Sequence, residues 1–364
     1  MKLVTILGTR PEIIRLSMIL PKLDKFCDHT IIYTGQNYDT NLKDVFFKEL
    51  NLRQPNYILN MQGSFGEQIA ILFPAIENLL KKINPDKVLI LGDTNSGLSS
   101  IIAKHMGITI VHLEAGNRCY DNRSPEEVNR RIIDHCTDIF MPYTERSRQN
   151  LIREGIPGEK IFVIGNPIRE VITYTYNSEK INASEILTKL ELYRDNYFLI
   201  TLHRSENVDH PQRLNNFIFA LEQLGKKYSV PVIVSTHPHT KKKLAGCIST
   251  LFTQGTVQFL EPFGFYDFVK LEQNAKCILT DSGTVQEEAA IFGIPSVILR
   301  DTTERPEVVE CGSTFVSGND LGSILIGVEI ALEPSVDWQV PPEYSVNNTS
   351  DRVLKIVTSF YNKV

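Results

Sequence analysis

Cysteine is scarce and scattered in this chain. Six residues (Cys27, Cys119, Cys136, Cys247, Cys277 and Cys311) form no CxxC pair and no His/Cys set at zinc spacing. Neither a disulfide scaffold nor a structural zinc site is therefore indicated. Reduced packing thiols of this kind are expected of a cytoplasmic protein. A basic block or arm is also missing, and the formal net charge is -5, so nucleic acid is not an expected partner. No apolar run approaches the roughly 18 residues that cross a bilayer. "MKLVTILG" runs straight into a Gly-Thr-Arg-Pro turn rather than reading as a signal peptide, so no membrane partner is expected either. GxGxxG and GxxxxGK[ST] are both absent, which excludes the usual dinucleotide fingerprint and the P-loop. "STHPH" offers His237 and His239 without a third ligand at sensible spacing, so no metal site is expected.

What the 364 residues do contain is two series of short, β-branched apolar runs. The first is "KLVTILG", "HTIIYTG", "KVLILGD", "ITIVHLEAG", "DIFMPYT" and "KIFVIGNP"; the second is "YFLITLHR", "VPVIVSTHP", "VQFLEP", "KCILTDSG", "PSVILRD" and "STFVS". Nearly continuous apolar strands alternating with amphipathic helical patterns predict parallel sheets covered on both faces. Two such series predict an α/β protein of two Rossmann-like, doubly wound domains, as the length also suggests. The polar stretch near residues 168–194 is the expected connection. After a break at "EPSVDWQVPPEYSVNNTS", the tail "DRVLKIVTSFYNKV" shows a helical apolar face of Val353, Leu354, Ile356, Val357 and Phe360.

Ligands of open parallel sheets bind beyond the carboxyl ends of the strands. Arg10, Asp93, Glu114, His203, His237 and Asp281-Ser282 all fall at such ends. In "GTRPEIIRL", Pro11 suits a first helical position, and Arg10 and Arg15 would attract an anion there, although a tight turn with surface arginines accounts for the same residues. In "LTDSGTVQEEA", Ser282, Gly283 and Thr284 open a helix as a diphosphate cradle would. Glu287 and Glu288 follow within reach of ribose hydroxyls. An ordinary N-cap explains Ser282 and the glutamates but leaves Gly283 unexplained. "TLHRSEN" puts His203 at a strand end, where it can meet a phosphate or shuttle a proton.

The segment "HLEAGNRCYDNRSPEEVNRR" carries several carboxylates among arginines. Ser124, Pro125 and Glu127 read as N-cap, first helical residue and capping-box partner. Glu126 is left without a capping role and is the residue expected to move a proton. Asp93, Glu114 and Glu126 would share one mouth, compensated by Arg118, Arg123 and Arg130. Carboxylates gathered in this way commonly titrate high. Asp121 has no evident role.

Taken together, "GTRPEIIRL", "TGQNYD", "GDTNS", "HLEAGNR", "SPEEVNRR", "TLHRSEN", "TDSGTVQEEA" and "RDTTERPE" resemble, in order, the motifs of the UDP-N-acetylglucosamine 2-epimerase family. The resemblance implies a GT-B-like pair of domains, residues 1–168 and 169–349, with UDP in the interdomain cleft and a tail helix, 350–364, returning to the first domain. It implies a cytoplasmic homodimer that inverts C2 of a UDP-N-acetylhexosamine by eliminating UDP to a glycal and adding it back, for surface polysaccharide precursors. Neither NAD nor a metal cofactor is needed. Carried over by position, Asp93 and Glu126 are the acid/base pair, Glu114 stabilises or orients, and His203 assists the diphosphate. Arg10, Arg15, Ser282, Gly283, Thr284, Glu288 and Arg305 hold UDP, with Phe268 and Arg130 as further candidates.

Three departures stand out. Arg15 replaces the common lysine, and Thr284 replaces a second glycine. "TGQNYDTNL" replaces the loop near "TGQH" through which substrate activates common bacterial members. "EIIRLS", "TGQNYD" and "EAGNRC" look more like the branch acting on UDP-2-acetamido-2,6-dideoxy-hexoses, on the path to UDP-N-acetyl-L-fucosamine. That makes Asn117-Arg118-Cys119 the local clue to the sugar. A hydrolysing epimerase, a GT-B glycosyltransferase and a non-catalytic nucleotide-binding protein are the alternatives.

Overall fold

The computed structural model describes residues 1–36, 46–176, 179–247, 256–333 and 338–359. Two compact units divide the chain: residues 1–175 with 342–364, and residues 176–341. These borders differ by seven and eight residues from those expected at 168/169 and 349/350. Most of the "TGQNYDTNL" loop and residues 360–364 of the tail, Phe360 included, lie outside the described residues.

Unit 1 holds β1 (Lys2–Leu7), β2 (Asp28–Tyr33), β3 (Tyr57–Ile58), β4 (Lys87–Leu91), β5 (Thr109–Leu113) and β6 (Ile139–Met141). They form a parallel sheet in the order β3-β2-β1-β4-β5-β6. Unit 2 repeats the plan with β7 (Phe198–Leu202), β8 (Val232–Thr236), β9 (Val257–Leu260), β10 (Cys277–Thr280), β11 (Ser296–Ile298) and β12 (Thr314–Val316). Its order is β12-β11-β10-β7-β8-β9, again parallel. In each sheet the winding reverses once, between β1 and β4 and between β7 and β10. Such a switch point opens a crevice at the strands' carboxyl ends.

The strands read as unbroken apolar runs because each sheet is covered twice. In unit 2, Phe198, Ile200, Val232, Val234 and Leu279 pack with Leu214, Phe217 and Leu221. The alternate residues Leu199, Ile233 and Ile278 pack with Leu271, Val285 and Ala289. Each such fully buried side chain contributes about 1.5–3 kcal/mol. In unit 1, Val4, Ile6, Ile32, Val88 and Ile90 meet Leu72, Ile76 and Leu80 of the Phe65–Ile83 helix.

One expected strand is corrected and one strand was not expected. "KIFVIGNP" forms no full strand, only an isolated bridge from Ile161 to Phe140 beside β6. The sixth place in the first sheet is taken instead by the two-residue β3, too short to leave a periodic signal. The tail helix, Thr349–Thr358, buries Val353 and Val357. Its start is held by Glu170, which accepts the Ser350 N–H at 2.7 Å. Its end is held by Lys87, whose Nζ donates to the carbonyls of Val357 and Ser359 at 2.7 and 2.8 Å. A cation at a helix carboxyl end satisfies carbonyls that have no partner inside the helix.

Candidate active site

In unit 1 the groups at the switch point leave from β1, β4 and β5. Beyond β1 the chain turns at Gly8, where a Cβ would stand 2.1 Å from Thr34 Oγ1 and 2.2 Å from Ser96 Oγ. The short Arg10–Leu16 helix follows. Glu12 closes its entry by accepting the N–H groups of Gly8 (3.0 Å) and Thr9 (2.8 Å) and the Thr9 hydroxyl (2.7 Å). Burial pushes the Glu12 carboxyl up to about 7; these donors oppose the rise and the charge of Asp93 adds to it. Arg15, on the same helix, is buried and bonded to the Glu114 carboxylate. Its guanidinium lies 5.8 Å from the Tyr143 ring centroid. Arg10 lies over the Phe46 ring at 4.5 Å.

Asp93 follows β4 and Glu114 follows β5, neighbouring strands in register. Asp93 is half-buried and pairs with Arg130 Nη2 at 2.5 Å. Glu114 is buried and adopts φ 66, a left-handed conformation rarely held by a residue with a side chain. That conformation costs of order 1–3 kcal/mol and persists where the surroundings over-determine it, typically at functional sites.

The Pro125–Cys136 helix presents Asn129 and Arg130 to these strand ends. Asn129 Nδ2 donates to the Asp93 carbonyl at 3.0 Å. Glu126, half-buried, lies one turn before Arg130 and so on the same helix face. Arg130 also meets Glu127 at 3.1 Å. The structure thus ties Asp93 to Arg130, ties Glu114 to Arg15, and puts Glu126 on Arg130's face.

Several roles read from the sequence change here. No capping box forms at Ser124. Its hydroxyl instead donates to Glu126 Oε2 at 2.9 Å. Glu127 turns inward to accept the N–H groups of Cys119 (3.0 Å) and Tyr120 (3.2 Å). Arg118 does not compensate the three carboxylates; its buried guanidinium pairs with Asp134 and Glu154 at 2.8 and 2.6 Å. Asn117 Oδ1 takes the Ser147 hydroxyl at 2.7 Å. Asn117-Arg118-Cys119 therefore serves the interior of unit 1. Arg123 is exposed and pairs with Asp121, which also accepts the Arg123 N–H at 3.0 Å. Asp121 thus shapes the turn into the helix.

In unit 2, Asp281 follows β10 and is fully buried. It accepts the backbone N–H groups of His203 (3.0 Å) and Arg204 (2.8 Å) and the Asn207 amide (3.2 Å). His203 Nδ1 stands 3.0 Å from Asp281 Oδ1. Burial alone would raise this carboxyl, but the charge and hydrogen bond of His203, with the N–H donors, hold it at about 2. His203 is half-buried, and its ring centroid lies 5.9 Å from that of His237.

Ser282 is the N-cap of the Gly283–Phe292 helix, and its N–H donates to Thr280 Oγ1 at 2.9 Å. Gly283 now has a reason. A Cβ there would stand 2.7 Å from Glu304 Oε1, and Glu304 is held by Arg300 at 2.6 Å. Thr284 is half-buried and Glu288 buried in the same helix. Glu287, expected beside a ribose, is instead bonded to the buried Arg305. Phe268 lies in the core cluster with Leu271, Ile278 and Val285. Among the described residues, no group of three His, Cys, Asp or Glu side chains is placed to hold a metal ion. No helix among them is long and apolar enough to cross a membrane.

Sequence reasoning missed Glu12, His112, Asn129, Asp134 and Glu304. All are buried; His112, Asn129 and Asp134 have partners well along the chain, whereas Glu12 closes a local capping box with Thr9 and Glu304 meets Arg300 one turn away.

Two doubly wound parallel sheets, each with charged groups at its switch point, define an α/β protein of the GT-B-like class. The sequence model for UDP-N-acetylglucosamine 2-epimerases matches residues 22–358. The UDP-N-acetylglucosamine 2-epimerase of Methanocaldococcus jannaschii is 41% identical over 364 residues, covering 98% of this chain and 99% of its own. Its crystal structure in complex with UDP-GlcNAc and UDP superposes with a TM-score of 0.92 over 98% of this chain and 99% of that one. The UDP-2,3-diacetamido-2,3-dideoxy-D-glucuronate 2-epimerase of Pseudomonas aeruginosa is 34% identical, covering 87% of this chain and 88% of its own. The chain belongs to the UDP-N-acetylglucosamine 2-epimerase family and is an isomerase.

Proposed function

We propose that this enzyme interconverts UDP-N-acetylglucosamine and UDP-N-acetylmannosamine by inversion at C2, without net hydrolysis. One observation carries the reading. Asp93 and Glu114 leave adjacent strand ends at the unit 1 switch point, each held by a buried arginine, with Glu126 on the helix face that presents Arg130 to Asp93. Inversion at a carbon bearing one hydrogen requires removing a proton from one face and returning one to the other. In the proposed sequence a carboxylate takes the C2 proton, the C2–H electrons form the C1–C2 double bond, and the C1–O bond breaks to release UDP. Re-addition of UDP at C1, with protonation of C2 from the opposite face, gives the epimer. Asp93 and Glu126 are the acid/base pair in either order, and Glu114 stabilises positive charge at C1.

Unit 2 supplies the groups for the leaving diphosphate: His203 oriented by Asp281, and the Ser282-Gly283-Thr284 helix start with its N–H donors. Arg10, Arg15, Glu288 and Arg305 complete the nucleotide-binding set. The sugar assignment is supported by the name of the 41% identical relative and by the ligands in its structure. The 6-deoxy alternative has less support, since Arg118 and Cys119 are engaged inside unit 1. A cytoplasmic homodimer belongs to the same proposal, supported by the family resemblance. The test is incubation with UDP-N-acetylglucosamine in deuterium oxide, read by NMR. Deuterium at C2 with UDP still attached is expected. Accumulation of free N-acetylmannosamine and UDP, or no exchange with any UDP-N-acetylhexosamine, contradicts the proposal.

A further inference from the structure

His112 lies on β5, two residues before Glu114, and is wholly buried. Both its ring nitrogens face acceptors: Nδ1 is 2.8 Å from Asp134 Oδ1, and Nε2 is 2.8 Å from the Gly92 carbonyl oxygen. A carbonyl cannot donate, and a neutral imidazole has a single N–H. The two contacts together therefore require either a doubly protonated ring or a proton on Asp134.

The surroundings of Asp134 favour the first choice. Its Oδ2 already accepts the Gly116 N–H at 3.1 Å and meets the Arg118 guanidinium at 2.8 Å. Two donors independent of His112, the Arg118 guanidinium and the Gly116 N–H, thus face this carboxyl and favour its ionised form. Arg118 also pairs with Glu154 at 2.6 Å. Arg118 is shared between the buried Asp134 and the partly exposed Glu154, so a cationic ring gives the buried carboxylate a counter-charge of its own.

We propose that His112 carries both ring protons and, braced by Asp134, is a positioning residue that ties the Gly92 carbonyl, and with it Asp93, to the strand from which Glu114 departs. Gly92 and Glu114 both adopt left-handed backbone, φ 72 and 66. The Gly92 N–H already donates to the Leu113 carbonyl at 3.0 Å. The ring adds a second tie between the same two turns, so neither can relax without breaking a buried charge-assisted hydrogen bond. Its catalytic consequence rests on the epimerase reading; the protonation does not.

Neutron diffraction from deuterium-exchanged crystals of the whole enzyme reads the protonation directly. Deuterons on both Nδ1 and Nε2 are expected, and a single deuteron overturns the proposal while leaving the epimerase reading intact. The kinetic arm compares two variants by C2 exchange. His112→Gln keeps a donor toward Gly92, whereas His112→Asn keeps one toward Asp134 and drops the tie. His112→Asn should lose on the order of a hundredfold in kcat and His112→Gln less than about tenfold, with UDP affinity unchanged in both. Equal kcat in the two variants overturns the positioning role. If neither folds, Asp134→Asn replaces them, with the same hundredfold loss expected and an unchanged kcat overturning the role. Absence of C2 exchange in the unmodified enzyme overturns the epimerase reading and leaves two deuterons standing.

Discussion

Replacing Asp281 with asparagine removes one charge and almost no volume, so its effect reports interactions rather than packing. The carboxylate accepts the His203 and Arg204 N–H groups and the Asn207 amide, and faces His203 Nδ1. In Asp281→Asn one of its two oxygens becomes an NH2 group facing donors, whichever way the amide is turned. Lowering the carboxyl from the ordinary 3.8 to about 2 corresponds to about 2 kcal/mol in favour of the folded state. Because the folded value is the depressed one, this stabilisation is complete above pH 3.8 and vanishes as pH falls through about 2. Leaving buried donors unsatisfied adds on the order of 1–3 kcal/mol. The expected loss at neutral pH is therefore about 3–5 kcal/mol, read from the urea midpoint and slope. Between pH 4 and pH 2 the gap to the parent enzyme should narrow by about 2 kcal/mol. The same variant should lose on the order of a hundredfold in kcat, since His203 loses the group that orients its ring. A stability within about 1 kcal/mol of the parent at pH 7, or a gap that does not change with pH, would refute the argument.

Asp93→Asn and Glu126→Gln should each abolish C2 exchange while UDP still binds by calorimetry; turnover within about tenfold of the parent contradicts their role. Gly283→Ala puts a methyl group 2.7 Å from Glu304 Oε1. Because Glu304 is fixed by Arg300, this should cost about 1–3 kcal/mol of stability and weaken UDP binding about tenfold, measured by thermal melts and calorimetry. Glu12, its carboxyl raised from 4.5 to about 7, contributes about 3 kcal/mol that is complete below pH 4.5 and declines as pH rises through about 7. Glu12→Gln should flatten that part of the stability profile in urea titrations, and an unchanged slope counts against it.

The doubly wound plan was legible because parallel strands buried on both faces leave continuous apolar runs, as in β1, β4, β8 and β10. An edge strand of two residues leaves no such run, and "KIFVIGNP" shows that an apolar run need not find a partner along its length. The candidate site was assembled from places where chemistry and strand end coincide, as at Asp93, Glu114 and His203. Side-chain partners were misread where they lie outside the local spacing pattern. Glu127 fits a capping box by spacing, but the N–H groups of Cys119 and Tyr120 claim its carboxylate. Gly283 looked like a phosphate contact alone, until Glu304, folded over it, gave a steric reason as well. Asp134 belongs to no local motif and His112 only opens "HLEAGNR" without a role of its own there, since their meaning lies in the pair.

Unit 2 is one continuous stretch, residues 176–341, placed between the two parts of unit 1. During synthesis it can therefore close while residues 342–364 are still being made. Unit 1 cannot: the tail helix that buries Val353 and Val357 and receives the Lys87 ammonium follows unit 2 in the chain. The usual order, in which the amino-terminal body matures first, is here reversed in its final step. The body carrying Asp93, Glu114 and Glu126 is therefore completed only after the whole of unit 2 has been made.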